Sequence, residues 1–367
     1  MILTLILVIV IFGCLVFVHE FGHFLVAKKS GVEVEEFGFG FPPRIVGRKV
    51  GKTVYSLNWL PLGGFVRLYG EDSSDTRPKT FGAASIGVKT AILLAGVVMN
   101  LILAYLIVLV LCFTGLPAVF TSGFVLPKPV SSTPKQVMVV DVGSGTPAAT
   151  AGIVRGDIIL SGGSQEFTDE NQLIAFTKSH AGETVDFSVL HGGKKVQDQI
   201  SLRSKKAGAT SGYLGVTPLQ VYSLYYGLSS FWVAGSLSAQ VVWATLAGVI
   251  LLFIHLPALI VGLFQPGIPQ AAAGVAGPIG IFTLIQSITA LGWNYLMFLV
   301  MTISVALAVF NVLPIPVLDG GKLFLIWLQK LLNRTFSPRT EARIYTASFA
   351  VLGLLIIMIS IFDIRRL

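Results

Sequence analysis

Residues 16–29 read Val16-Phe17-Val18-His19-Glu20-Phe21-Gly22-His23-Phe24-Leu25-Val26-Ala27-Lys28-Lys29. They close an apolar run that begins at Ile2 and is long enough to span a bilayer, since ~20 apolar residues cross the hydrocarbon core. Two imidazoles and a carboxylate interrupt it. A central acidic residue alone costs about 2.5–3.5 kcal/mol on insertion scales. His19 and His23 stand at i and i+4, on one helix face, so both reach a single metal ion. Glu20 beside the first is placed to act as general base on an attacking water. Reading them as two core histidines and a stray acid leaves the insertion cost uncompensated. Zinc held by both imidazoles offsets it.

Of 367 residues, 54% are hydrophobic and 12% charged, whereas a soluble globular chain carries about a quarter charged residues. The apolar excess lies in long runs, the pattern of membrane spans. The net charge of +8 does not point to nucleic acid. The basic residues gather at the ends of apolar runs, where they set orientation, and no aromatic-basic interleaving accompanies them. Cys14 and Cys112 fall in or at the edge of apolar runs, giving neither a disulfide framework nor a zinc ribbon. Any metal site must use His and carboxylate. The first run has no basic residue before Lys28, is long, and lacks a clear cleavage site. It reads as a retained span, not a signal peptide.

Lys28 and Lys29 place the end of the first span, 2–27, in the cytoplasm. Residues 52–67 carry short β-like runs around a Pro and a Gly pair, predicting a hairpin. Arg44, Arg48, Lys49 and Lys52 keep part of 31–77 on the cytoplasmic side. Trp59, Leu60, Leu62 and Phe65 suit a loop dipping into the membrane, where non-helical backbone survives only under protein or water. A second span covers 86–113 and runs outward. Residues 121–136 read as a linker. A small soluble domain follows over 137–218, with strands at 137–142, 184–190 and 195–202 and a helix at 171–180. Residues 222–264 are ambiguous: 241–263 is apolar enough to span, but His255 and Pro257 interrupt it. Further spans lie at 293–313 and 345–362, separated by a basic cytoplasmic segment. Arg365 and Arg366 then fall outside, against the charge rule.

A catalytic zinc takes three protein ligands and one open position. The candidate third ligand is Asp319 in Asn311-Val-Leu-Pro-Ile-Pro-Val-Leu-Asp319-Gly-Gly321, where Pro314 and Pro316 break the end of a span. The alternative reading of Asp319 is the N-cap of a helix starting near Gly320. Taken together, H-E-x-x-H in the first span and N-x-x-P-x-P-x-L-D-G in a late one resemble the motifs of the site-2 protease family of intramembrane metalloproteases. The resemblance covers nearly the whole chain and is nearest to bacterial members with a PDZ domain between the second and third core spans. It implies His19, His23 and Asp319 as Zn²⁺ ligands and Glu20 as the general base of a zinc metalloendopeptidase. Asn311 matches a family Asn that holds substrate or transition state. Pro61-Leu-Gly63-Gly64-Phe65-Val66 matches a membrane-reentrant β-loop, and Gly277-Pro278 a motif before the third core span. The implied reaction is hydrolysis within transmembrane segments of single-pass membrane proteins, such as anti-sigma factors or remnant signal peptides, in the inner membrane of a bacterium. A helical substrate hides its carbonyls and must unwind, so an edge strand within 54–66 is expected to catch it by strand addition.

The insert resembles a circularly permuted PDZ domain, through Thr146-Pro-Ala-Ala-Thr-Ala-Gly-Ile153 and Arg155-Gly-Asp-Ile-Ile159. Gly212-Tyr213-Leu214-Gly215-Val216 looks like its carboxylate-binding loop. Such a domain either binds peptide or excludes substrates with large outer domains. The fold expected is a polytopic α-helical membrane protein of about four spans with a membrane-reentrant β-hairpin and a small α/β PDZ-like insert. Its parts are a membrane core at 1–113, an extracytoplasmic insert at 114–220, an interfacial region at 221–290 and a second membrane core at 291–367. His19 lies nine residues before Lys28, about 13 Å of helix at ~1.5 Å each, so the metal sits toward the cytoplasm. Asp319 must reach that depth, so 222–290 must cross an even number of times, and zero crossings are expected. A catalytically dead scaffold conflicts with the intact Glu20. A transporter with a proton relay explains neither the insert nor the motif spacing. The expected partners are single-pass substrates and the lipid bilayer, and no nucleic acid.

Overall fold

The computed structural model describes residues 2–71, 77–121, 123–192, 194–204, 212–265, 275–334 and 336–366. It opens with α1 (Ile2–Lys29), the long strands β1 (Val34–Val50) and β2 (Thr53–Leu68), and α2 (Ile86–Thr114). A β-rich insert follows: β3 (Leu116–Pro117), β4 (Ser131–Ser132), β5 (Gln136–Val142), α3 (Pro147–Thr150), β6 (Ile158–Gly162), β7 (Gln165–Glu166), α4 (Glu170–Ser179), β8 (Thr184–His191), β9 (Lys194–Ser201), β10 (Val216–Val221) and β11 (Ser223–Tyr225). The chain ends with α5 (Ser230–Ile254), α6 (Leu256–Gly262), α7 (Pro278–Thr289), α8 (Trp293–Val312), α9 (Asp319–Leu331) and α10 (Pro338–Arg366).

Among the described residues five helices are long and apolar enough to cross a membrane: α1, α2, α5, α8 and α10. The chain is thus a multi-span membrane protein, with one more candidate span than expected. The addition is α5, which runs unbroken through residue 241 and stops at Ile254, before His255 and Pro257. Pro257 can occupy only the first turn of α6, because it lacks the amide that a helix interior needs.

The chain divides into two compact units, Met1–Leu106 with Ser238–Ile285 and Val300–Leu367, and Ile107–Leu237 with Gln286–Leu299. In the first, β1 and β2 form more than the simple hairpin expected. Val50 pairs with Thr53, Arg48 with Tyr55 and Arg44 with Asn58, as in a hairpin. Yet Phe37, Gly38 and Phe39 pair on one side with Val66, Phe65 and Gly64, and on the other with Tyr55, Ser56 and Leu57. Each long strand therefore bends and contributes two segments. Their order is 44–50, 53–58, 34–41, 60–68, so the interior holds 53–58 and the free edges are 44–50 and 60–68. The bend in β1 lies at the cis Pro42–Pro43 bond.

In the same unit the end of α10 holds two helix termini. Arg365 donates to the carbonyls of Gly262, Leu263 and Gln265 at the end of α6, and Arg366 to that of Val275. The buried Asp363 carboxylate accepts from the Gly280 amide in the first turn of α7 at 2.8 Å. Arg365 and Asp363 meet backbone groups left without an intrahelical partner, and each of these two charges complements the helix dipole it faces. This gives Arg365 and Arg366 a role that the charge rule alone did not.

The second unit is built on a sheet in the order β10-β5-β6-β8-β9, with β7 beside β6. Val137, Ile159, Leu173, Phe187, Val189 and Leu214 form part of its core. Asp169 caps α4 by accepting from the Asn171 amide at 2.7 Å. The expected helix and three strands recur as α4, β5, β8 and β9, shifted by no more than two residues. A separate three-stranded sheet, β3-β11-β4, ties the two ends of the insert together.

Candidate metal centre

α1 is apolar apart from His19, Glu20, His23 and its closing lysines, and in hydrocarbon a helix is the one local structure that satisfies its own backbone. One turn separates the buried His19 and His23, whose ring centroids lie 4.7 Å apart at an interplanar angle of 79°. Asp319 completes the group. Its Oδ2 lies 2.9 Å from His19 Nε2 and 3.2 Å from His23 Nε2, and the two Nε2 atoms are 3.1 Å apart. A tetrahedral zinc with bonds of about 2.0–2.1 Å has ligand–ligand edges of about 3.3–3.4 Å, so the triangle is close to one face of that tetrahedron. Two imidazoles and one carboxylate oxygen are also the donor chemistry that zinc takes in catalytic sites. The residues present fit the ion.

The capping alternative for Asp319 does not hold. α9 begins at Asp319 itself, after Leu318, which makes no side-chain cap. Asp319 reaches α1 because the chain doubles back sharply after α8. A Cβ on Gly320 would lie 2.1 Å from the Val312 carbonyl oxygen, and one on Gly321 2.0 Å from that of Ile315. No side chain fits either position, which accounts for the glycine pair.

Two residues of α2 escaped the sequence reading. Gly96 passes directly over the imidazoles: a Cβ there would lie 2.5 Å from His23 Nε2 and 2.6 Å from His19 Cε1. Asn100, fully buried, sits one turn further along, its side-chain amide 3.5 Å from His19 Nδ1. Its Oδ1 meets no partner among the described residues. With the amide turned about so that Oδ1 faces the ring, it accepts from His19 Nδ1–H and leaves Nε2 for the metal. His23 is fixed in the same sense, since its Nδ1 donates to the Ile92 carbonyl at 2.7 Å. Such contacts orient ligating imidazoles. The available signal was a lone amide in an apolar span, four residues after a glycine and on the same helix face.

Glu20 reaches β2 with its carboxylate. Its Oε2 accepts from the Val66 amide at 3.1 Å. The free edge 60–68 therefore runs along α1: a Cβ on Gly63 would meet Val16, and one on Gly64 would come within 3.9 Å of Glu20 Cγ. The structure thus brings Gly64 and Val66 to Glu20, while Gly63 lies against Val16 and the Phe65 ring against Gly38. Asn311 lies half-buried in the last turn of α8 and makes no side-chain hydrogen bond among the described residues. Tyr213, Leu214 and Gly215 belong to the second unit, where their carbonyls accept from the amides of Arg203, Ala148 and Gly143.

The model of peptidase family M50 matches residues 7–355. A Clostridium perfringens chain named as a zinc metalloprotease is 30% identical over 357 residues, 96% of each chain. The Bacillus subtilis regulator of sigma-W protease RasP is 25% identical over 451 residues, 99% of each. The solved PDZ domain of an SdrC-like protein from Listeria monocytogenes is 30% identical over 23% of this chain and 86% of its own, with a TM-score of 0.20.

Asn100→Ala is expected to weaken zinc binding about 10–100-fold, measured by competition with a chelator. Gly96→Val should remove bound zinc altogether, read by elemental analysis of protein whose helicity matches the parent. Parent-like zinc content in Gly96→Val would show that α2 does not confine the imidazoles.

Proposed function

The chain belongs to peptidase family M50 and is a zinc metalloprotease, and from that premise we propose that it cleaves transmembrane segments of single-pass membrane proteins. The observation that carries this reading is the position of the donor triangle, on a membrane-length apolar helix beside a free sheet edge. Bound zinc supplies Lewis-acid stabilisation of charge developing on a carbonyl oxygen and makes a water nucleophilic near neutral pH. Glu20, next in sequence to His19, takes the proton from that water as general base.

The edge 60–68 presents backbone groups to an unwound substrate strand. The earlier expectation, any edge within 54–66, narrows here, since 53–58 is interior. The Val66 amide that an incoming strand requires is the one Glu20 occupies. Strand capture therefore releases the base at the moment a peptide arrives. Asn311, whose side-chain amide meets no partner among the described residues, is assigned to hold the substrate. The relative named for regulating sigma-W supports anti-sigma-type substrates in a bacterial inner membrane. The insert is PDZ-like and extracytoplasmic. Its amides at Tyr213, Leu214 and Gly215 donate to no described residue, which favours carboxylate binding over size exclusion alone.

Four helices cross and α5 stays at the outer face. α10 starts beside α9, where Gln329 donates to Glu341, and α9 is tied to the inner end of α2, where Trp327 donates to Thr90. The far end of α10 is therefore outer. Leu252 and Leu259 pack there against Met358 and Phe362, so α5 ends on the face where the extracytoplasmic insert leaves it. That meets the requirement of an even number of crossings.

Glu20→Gln should keep its zinc and lose 10²–10⁴-fold in cleavage of a reconstituted single-pass substrate, with a chelator abolishing activity in the parent. Full activity in Glu20→Gln would end the proposal. Val66→Pro removes the amide shared by Glu20 and an incoming strand, and is expected to impair cleavage at unchanged zinc content. With Cys14 and Cys112 replaced, cysteines at Leu228 and Phe264 should both react with an impermeant maleimide from outside the cell. Labelling of the second only from the cytoplasm would show that α5 crosses.

A further inference from the structure

The sheet of β1 and β2 has a second free edge, 44–50, on the side away from the edge that meets Glu20. Every residue from 41 to 52 is exposed. Its depth can be read from α1. The deep end of the sheet, where Phe41 of the segment 34–41 pairs with Leu60, lies near the middle of the helix, since a Cβ on Gly13 would stand 3.0 Å from the Pro61 carbonyl oxygen. At the shallow end of the edge Val50 pairs with Thr53, whose hydroxyl accepts from Lys28 at 2.6 Å. Between Arg44 and Val50 the exposed side chains run from Ile45 and Val46 to Arg48 and Lys49 and close on Val50.

The charge along this stretch has one sign. Residues 37–70 include Arg44, Arg48, Lys49, Lys52 and Arg67 and no acidic residue. Arg44 is paired with Glu36, and Lys52 with Glu33. Arg48 and Lys49 have no acidic partner among the described residues. Both stand within a few residues of the level of Lys28, where the first span meets the cytoplasmic headgroups.

We propose that Arg48 and Lys49, at the inner end of this edge, bind the phosphate of an anionic phospholipid in the inner leaflet. A guanidinium and an ammonium on adjacent residues suit phosphate oxygens. Cations at a membrane surface draw anionic lipid with about 1 kcal/mol each, equivalent to about fivefold enrichment. An unpaired strand edge also needs hydrogen-bond acceptors that hydrocarbon cannot offer, and headgroup phosphates and their water provide them. Ile45, Val46 and Val50 on the same edge favour a lipid over an acidic peptide, because acyl chains cover apolar side chains where a charged strand leaves them wet. The inner-leaflet assignment rests on the orientation proposed above; the choice of lipid class does not.

The test uses the full zinc-loaded chain, Cys14 and Cys112 replaced, with a fluorophore on Val50→Cys. It is reconstituted in phosphatidylcholine vesicles doped with headgroup-spin-labelled phosphatidylglycerol or phosphatidylcholine. Quenching by the anionic lipid should exceed that by the zwitterionic one. Arg48→Ala with Lys49→Ala should cut this preference by up to about 30-fold, and high salt should weaken it. Zinc content and cleavage in pure phosphatidylcholine, which do not involve these side chains, verify the fold of the variant. Equal quenching by both lipids overturns the proposal, as does a preference that survives the double substitution. Displacement of the labelled lipid by a substrate with an acidic inner tail assigns the edge to peptide and overturns it too. Because quenching needs no catalysis, a negative result here leaves the protease reading standing, and a failure of cleavage leaves this one standing.

Discussion

Two imidazoles and a carboxylate on a membrane helix must find partners within the protein, because lipid offers none. This requirement organises the first unit. α2 approaches α1 closely enough to confine both rings, through a glycine at 96. The Ile92 carbonyl and the Asn100 side chain meet the two Nδ1 atoms. The turn after α8 folds back on glycines so that Asp319 can complete the triangle. Ser304 of α8 donates to the Asn100 carbonyl at 2.9 Å, joining the helix that leads to Asp319 with the one that confines the histidines. Three segments far apart in sequence are thus tied to one buried polar group.

The sheet answers the same constraint differently. Its edge 60–68 would carry unpaired amides deep beside α1, and one of them is satisfied by Glu20. The arrangement meets two needs with a single contact: a half-buried carboxylate gains a donor, and a strand edge gains an acceptor. It is also poised, since whatever pairs with that edge must displace Glu20. The other edge solves its own problem by carrying charge toward the surface.

The motifs were legible because ionisable residues in apolar runs are costly and so stand out. His19, Glu20, His23 and Asp319 all announced themselves in that way. Asn100 and Gly96 did not, because an amide costs less than a charge and a glycine's role lies in the side chain it lacks. The four-segment sheet was hidden for a different reason. A hairpin's local signal at 52–67 is the same whether or not its strands bend, and the pairing of Phe37 with both Tyr55 and Val66 is a tertiary choice. The carbonyl partners of Arg365 and Arg366 at the end of α10 were not legible either, because the charge rule counts charges without asking which carbonyls they meet.

α5 shows how far composition can carry a topological argument. Length and hydropathy make it a candidate span comparable to α8. Parity adds a constraint: with the insert outside as proposed, the chain over 222–290 crosses an even number of times, since the 2.9 Å contact between Asp319 and His19 keeps the carboxylate at the level of the histidines. One buried distance thus limits a topology that the composition of a 25-residue apolar helix leaves open. Held at the outer face, as proposed above, α5 would bury its surface against protein and the interfacial layer. Its exposed Phe231, Trp232 and Trp243 are the side chains suited to that layer, with apolar rings and, in the tryptophans, a polar edge.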